Sequence, residues 1–545
     1  MVRRSMPLIG CFLLIASCGS QNPSNRGHKD DGGQFRPNGC ATSKHDTITR
    51  GLPGEPHTLD PQRADDEFSF QVIRDLYEGL TAESPQGKIV PGIAKSWTVN
   101  KGGTVYTFRL RSDARWSDGT YVTAQQVVNG LRRAVDPRTA SGSAALLDEI
   151  KGAKSIIAGK RKVKELGVKA IGNTIVQIML VSPAPYILQI LSQPIAAPLR
   201  FSTTISMHAV SPKITDGGFA FDDQLSGSYI DLRRNPFYWD VSQIAVPRIR
   251  YLISGSESTE LSEYLAGQLD LTYSIPMPDL QRMLKDRASE VQMAPILATF
   301  YLAYNMSKPR LRDNIALRQA LSMAIDRRLI SKKIMMGVDP AFSLVPPGVR
   351  DYRPPRYLWA VWPRARRLAY ARSLLSNAGF SDKHRLELRL YFNSDETVRR
   401  VILAIAENWK QNLGVSVRLI SDEFRVFLVR RKDHSHWDVA RFGWDADYDD
   451  ATSFLNVFTR GSAENDATYN NQVFNHLMED ARFEEDPAIR RKLLEGAEFR
   501  LLNDYAVIPI YFYEARRLVK PCIGGATITP LNHTYSKFLH WKATK

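Results

Sequence analysis

Cysteine is nearly absent, with four in 545 residues at positions 11, 18, 40 and 522. That excludes a disulfide-stapled scaffold and the closely paired cysteines of zinc modules. Beyond the N-terminus no run approaches the roughly 18 consecutive apolar residues that a membrane-spanning helix needs. Nucleophile and metalloprotease signatures are missing as well: there is no G-x-S-x-G, no H-E-x-x-H and no Cys–His pattern. Acid is in deficit, 57 Asp and Glu against 73 Lys and Arg, for a formal charge of +16. Such an excess suits nucleic acid or an anionic membrane. The basic residues are scattered, however, and runs such as 430–432 and 159–164 are short. They read as a solvated basic surface, with no nucleic-acid partner.

What the chain does have begins at its start. "MVRRS" is a positive n-region, and "PLIGCFLLIA" is an apolar stretch of about ten residues, too short to cross a bilayer. It runs into "IASC", which resembles a bacterial lipobox. The expectation is a signal peptide at 1–17, a lipidated Cys18, and a flexible Gly/Asn/Asp-rich tether at 18–45. An ordinary secretory signal is the alternative, and either one exports the protein. Cys40 and Cys522 remain open, as a disulfide or as two thiols. The length predicts two or three domains.

Patterning divides the body. "VYTFRLR" (105–111) alternates as a half-buried strand does, and "WSDGT" (116–120) holds an Asp-Gly turn. A helix is expected from Thr123, with Gln126 three residues on. These make a strand-rich module over residues ~78–185. Later, "WPRARRLAYARSLLSNAGF" (362–380) and "ETVRRVILAIAENWKQNLG" (396–414) carry helical stripes, the second through Ile402, Ile405, Ala406, Trp409 and Leu413. Strands at 386–392, 415–420 and 437–444 surround that second helix. Strand, helix, strand predicts a parallel pair with a right-handed crossover.

Just past the last of these strands lies "GWDADYDD" (443–450), four aspartates in six positions. Asp445, Asp447 and Asp449 mimic the start of an EF-hand loop. That loop needs Gly at its sixth position and Glu at its twelfth, where this chain has Asp450 and Asn456. A calcium loop is excluded. What remains is a carboxylate pair for catalysis, or one carboxylate meeting a cationic ligand, at the strand edge where open α/β sheets bind ligands.

The sequence resembles a known family, the bacterial extracytoplasmic oligopeptide-binding proteins that serve ABC importers (family 5 solute-binding proteins). The likeness runs from about Arg50 to Lys545 and rests on eight ordered segments: "EPHTLDPQ", "RDLYEGL", "PGIAKSW", "YTFRLRSDARWSDGTYVTAQQVV", "LRRNPFYW", "LRQALSMAIDRRLI", "GWDADYDDATSFLN" and "IPIYFYEARRLVKPCIGG". It implies an α/β fold, a two-lobed periplasmic-binding-protein clamshell with an inserted third domain, mixed α/β sheets and hinge strands between the lobes. Residues 46–77 with 186–297 and 515–545 would form lobe I, 78–185 the inserted domain II, and 298–514 lobe II. The implied function is capture of oligopeptides in the closing cleft and delivery to inner-membrane ABC permease subunits. It is not an enzyme, needs no cofactor or metal, works as a monomer, and resides in the periplasm or on the outer face of the cell membrane, held there only by its lipid.

By position, Asp447 matches the carboxylate that holds the ligand's α-ammonium. Gly443, Trp444 and Asp445 match one backbone edge that pairs with the ligand, and Asp65, Asp66 and Glu67 the other. Trp444 and Tyr448 would shield Asp447; the side chains of Asp445, Asp449 and Asp450 would serve the turn and the surface. Arg441 matches an arginine that meets a ligand carboxylate, with a structural ion pair as the equal alternative. Asp216 stands where the family has a loop asparagine. The family's disulfide is missing, with Asp445 and Ala298 in its place, and Lys432 and Val398 replace two residues that receive a peptide C-terminus. Those departures leave the ligand's length open. The same fold with another cargo (murein peptide, dipeptide, opine, haem or metal chelate) is the nearer rival, and a surface role in signalling or adhesion is compatible. An exported hydrolase using Asp445 and Asp447 is the distant rival; "HSH" (434–436) reads as a polar loop rather than a metal site.

Overall fold

The computed structural model describes residues 46–200, 213–381 and 383–542. The expected signal peptide, Cys18, the tether, Cys40 and residues 201–212 lie outside the described residues. Cys522 is disulfide-bonded. No helix among the described residues is long and apolar enough to cross a membrane.

The helix expected at 396–414 spans Glu396–Leu413. Asp395 starts it by accepting the Val398 N–H at 2.8 Å, and Gly414 ends it at φ 70, a conformation that glycine adopts without strain. Val401, Ile402, Ile405 and Trp409 are fully buried, which holds the helix on a five-stranded sheet. That sheet runs in the order Ser416–Asp422, Glu387–Asn393, Val439–Asp445, Val291–Tyr304, Val507–Leu518. Strand 387–393 pairs in parallel with both of its neighbours, while the last two strands join antiparallel. The crossover unit predicted from patterning is therefore present. The other long helix begins at Arg364 rather than 362, because Pro363 caps it from outside.

Two further four-stranded sheets lie elsewhere in the chain. One is antiparallel, in the order Ala94–Val99, Val105–Leu110, Ile175–Met179, Val168–Ile171. Against it lies helix Ala124–Val135, where Gln126 Oε1 accepts the Thr123 N–H at 2.9 Å and the Trp116 indole N–H at 3.0 Å. The other sheet runs Thr47–Leu52, Arg248–Ile253, Tyr229–Arg234, Phe219–Leu225.

Several residues of the resembling segments are structural. Asp60 receives both Nη atoms of buried Arg133 at 2.6 Å, tying the 60–62 loop to helix 124–135. Asp75 accepts from Tyr251 at 2.6 Å and from the Ser536 N–H at 2.9 Å. Buried charges survive only when paired and bonded in this way. The apolar interior divides into two large clusters, one built from residues 297–511 and one drawn mainly from 48–271. Tyr448 is the exception. It belongs to the second cluster by contact although its neighbours in sequence belong to the first, and its ring stacks on Tyr186 at 4.4 Å.

Candidate functional site

Strand Val439–Asp445 is paired along its whole length with 298–304 on one side. On the other side its ladder to strand 387–393 ends at Ala440. From Arg441 to Asp445 that second edge has no partner strand among the described residues, so its N–H and C=O groups are available to an added strand. Period-two alternation puts Arg441, Gly443 and Asp445 on one face. A side chain at Gly443 would be crowded, because a Cβ would lie 3.1 Å from Arg441 Nη2 and 3.3 Å from the Tyr513 hydroxyl. Arg441 donates to that hydroxyl at 3.1 Å and sits 5.2 Å from the Phe300 ring centroid. It forms no ion pair with a described residue, and its Nε has no acceptor.

Beyond the strand, the backbone is gripped from two directions. Ala446 N–H donates to Leu297 O at 2.8 Å, and Asp447 N–H to Ser453 Oγ at 2.9 Å. From the other cluster, Gln193 Nε2 donates to the Asp447 carbonyl at 2.9 Å, and Gln189 exchanges two bonds with the Asp449 backbone. Asp449 accepts the Arg350 N–H at 2.8 Å, while Asp450 takes a two-point pair from Arg490 and caps Thr452. Those two aspartates thus serve the turn.

Asp445 and Asp447 differ from them, because no other described residue donates to either carboxyl group. Both are exposed by surface area, although enough protein crowds round them for burial to weigh on their charge. Burial pushes Asp447 up to about 7, helped by repulsion from Asp445, Glu67 and Glu464. Burial and Glu67 push Asp445 up to about 6, with Arg441 opposing. Beside Asp447 opens a cavity of about 1330 Å³, lined in part by Gly142, Lys154, Tyr186, Trp444 and Glu464. Trp444 Nε1 is shielded from solvent and has no acceptor.

The other residues singled out from sequence divide. Glu67 opens helix Glu67–Leu76, and its nearest cation is Arg74 at 4.0 Å. Although distant in the chain, it acts on both Asp445 and Asp447. Asp66 is spent on capping that helix through the Ser69 N–H at 2.9 Å. Asp65 lies 3.6 Å from His57 Nδ1 and close to Gly142 on the cavity wall. His57 in turn meets Arg425, across the opening, at 2.8 Å. Asp216 is not brought to this group. It is 2% exposed, accepts the Glu78 N–H at 3.4 Å, and burial raises it well above the carboxylate range. Val398 is buried inside its helix and Lys432 is exposed at a helix end. Sequence reasoning missed Gln193 and Ser453, which hold the Asp447 backbone, and Gln189, which holds that of Asp449; only Ser453, six residues on from Asp447, had a local signal.

Comparison with known proteins gives concordant results. The family model described as "Bacterial extracellular solute-binding proteins, family 5 Middle" matches residues 88–466. The chain is 34% identical to the periplasmic oligopeptide-binding protein OppA of Escherichia coli, over 92% of this chain and 94% of that one. To the periplasmic murein peptide-binding protein MppA of Escherichia coli it is 32% identical, over 99% of both. Among solved structures, Haemophilus influenzae OppA in complex with RPPGFSPFR superposes with a TM-score of 0.77 at 30% identity, covering 92% of this chain and 99% of that one.

Proposed function

The chain belongs to the family 5 bacterial extracellular solute-binding proteins, and on that premise we propose that it is a periplasmic receptor that captures peptides between two lobes and hands them to an ABC permease. Its relatives are solute-binding proteins rather than enzymes. One observation carries the reading: the unpaired strand edge from Arg441 to Asp445 leads directly to Asp447, a carboxylate held by its backbone and left without a donor. A peptide added to that edge gains main-chain hydrogen bonds whatever its sequence. Its α-ammonium, the one cation all free peptides share, completes Asp447 with a charge-assisted bond. Trp444 and the cavity beside it leave room for side chains, and bridging water fills what they do not. Murein peptides fall within the same class.

Lobe I is assigned to 46–77, 186–297 and 515–545, domain II to 78–185, and lobe II to 298–514. In support, the two boundaries at 297/298 and 514/515 both fall within long strands, Val291–Tyr304 and Val507–Leu518, which pair with each other. Their ladder is irregular between Pro295 and Thr299. Two paired strands that cross together, with a break in register, suit a hinge. Acylation at Cys18 would anchor the body to the membrane as a lipoprotein.

Native mass spectrometry tests the proposal on protein purified without denaturation from an exporting host. Adducts at a ladder of peptide masses are expected. A single adduct of non-peptide mass would overturn the peptide reading and favour a dedicated cargo.

A further inference from the structure

Away from the peptide edge, the basic excess of the chain is concentrated in one stretch. Residues 326–372 hold eleven Lys and Arg against three Asp and no Glu, half of the formal +16 in under a tenth of the length. Within it, the single-turn 3-10 helix Leu358–Val361 presents two aliphatic side chains to solvent. Leu358 is 78% exposed and Val361 84%, more than any other large apolar residue among those described. Three residues apart on such a turn, they eclipse and share one face. The turn is fixed from behind. Trp359 is buried, donates its indole N–H to the Tyr505 hydroxyl at 3.1 Å, and has the Arg327 guanidinium 5.2 Å from its ring centroid. Tyr357 stacks on Tyr505 at 5.2 Å and donates its hydroxyl to Val507 O at 3.0 Å. Cations surround the two tips. Arg364 Nε lies 3.7 Å from Asp326 Oδ2, which brings in the segment carrying Arg328 and half-exposed Leu329. Arg366 covers the Trp362 ring at 4.2 Å, and that ring meets half-exposed Tyr370 edge-on at 5.6 Å. Arg328, Arg353 and Arg356 are exposed and make no ion pair with a described residue.

We infer that this face rests on a bilayer containing anionic phospholipid, with Leu358 and Val361 inserted among the headgroups and the surrounding arginines on the phosphates. Aliphatic tips, a Trp–Tyr pair at the rim and unpaired guanidinium groups together have the composition of an interfacial contact. The planar fork of arginine suits phosphate, and its apolar stem lies along the same surface that the tips enter. A protein partner would need a fitted surface of about 800 Å². Two tips in a ring of cations engage lipid without one, because headgroups conform to them. Each basic residue held near an anionic surface adds about fivefold to binding. The contact shares no residue with the strand edge or with Asp447, so peptide and membrane are bound separately. A receptor held this way would load its cargo beside the membrane that houses its permease.

Vesicle co-sedimentation of the full chain tests this, with Cys18→Ser to remove any acyl anchor. Vesicles of phosphatidylcholine alone are compared with vesicles in which about a third of the lipid is phosphatidylglycerol. Binding to the anionic vesicles is expected to be at least about tenfold stronger at low salt, and to fall as salt is raised. Arg353→Gln with Arg356→Gln is expected to weaken it about 25-fold, two steps of about fivefold. Leu358→Ser with Val361→Ser is expected to weaken it about tenfold. All four side chains are exposed and outside the cleft, so the melting temperature and the peptide adducts seen in native mass spectrometry should stay as they were. Equal binding to the two kinds of vesicle overturns the inference, and so does unchanged binding in both double variants, which would place the contact elsewhere on the chain. Absence of vesicle binding overturns it as well, and a variant that then lowers peptide uptake in cells assigns the patch to an anionic protein partner.

Discussion

Lowering the pH perturbs the cleft at its two least satisfied groups. Burial and the neighbouring carboxylates hold Asp447 at about 7, and burial with Glu67 holds Asp445 at about 6. The ordinary aspartate value is about 3.9. A peptide's ammonium pairs with the ionised carboxylate, so binding at acidic pH expels whatever proton is present. For one group titrating at about 7, the proton released by the carboxyl per peptide is about 0.9 at pH 6 and about 0.5 at pH 7, while near pH 8 the peptide's own amine takes a proton up on binding. Affinity then weakens roughly tenfold per pH unit below about pH 6, and falls again above about pH 8 as the peptide's own α-ammonium deprotonates. The two carboxyls titrate as a coupled pair, so the observed midpoints belong to the pair.

The empty protein follows the same carboxyls through its stability. A carboxyl whose folded value is raised holds its proton more tightly folded than unfolded. Its unfavourable contribution therefore grows as pH rises from about 4 to about 7 and is constant above that. Because both side chains touch water, that contribution is a fraction of the roughly 4 kcal/mol that the full shift represents, about 1 kcal/mol. Titration calorimetry in two buffers of different ionisation enthalpy reads the proton release. Asp447→Asn is expected to weaken binding by about 1.5–3 kcal/mol and to remove the component near 7, leaving the smaller release from Asp445. No buffer dependence at pH 6, or an unchanged pH profile in the variant, would refute the reasoning.

Two further changes separate edge from core. Gly443→Val places its Cβ against Arg441 and Tyr513; a loss of about 1–3 kcal/mol of stability is expected in urea unfolding, together with loss of peptide adducts in native mass spectrometry. Glu498→Ala removes the acceptor of the Leu344 and Val345 N–H groups and of the Tyr352 hydroxyl, all at 2.6–2.8 Å. Several buried donors are orphaned at once, so a loss of about 3–5 kcal/mol is expected, seen as a lowered melting temperature with unchanged proton release in whatever fraction remains folded.

The crossover unit was legible because its signals are local. A carboxylate cap at Asp395, a glycine at 414 and a buried stripe through Ile402, Ile405 and Trp409 specify the helix within one window of sequence. So was the position of Asp447 beyond a strand end. What patterning could not reach was proximity across the cleft: nothing near Glu67 announces that its charge acts on Asp445. Asp216 shows the converse error. Its place in a resembling loop suggested the ligand, yet the chain folds it into the interior, where burial favours its protonated form. The side chains of "LDPQ" and "RDLYEGL" carry much of the likeness in sequence while serving to hold elements together.

An edge that must stay vacant for a guest is equally vacant for another copy of the same chain, and bare strand edges are where soluble proteins stack into aggregates. Here the exposed segment is only five residues long, from Arg441 to Asp445. It carries a guanidinium at one end and a carboxyl at the other. A second molecule's strand would fit best as a free chain end with a positive charge at its tip, beside Asp445 and Asp447. The carboxyl of Asp445 at the end of this edge thus also works against self-association, and neutralising it would weaken that protection.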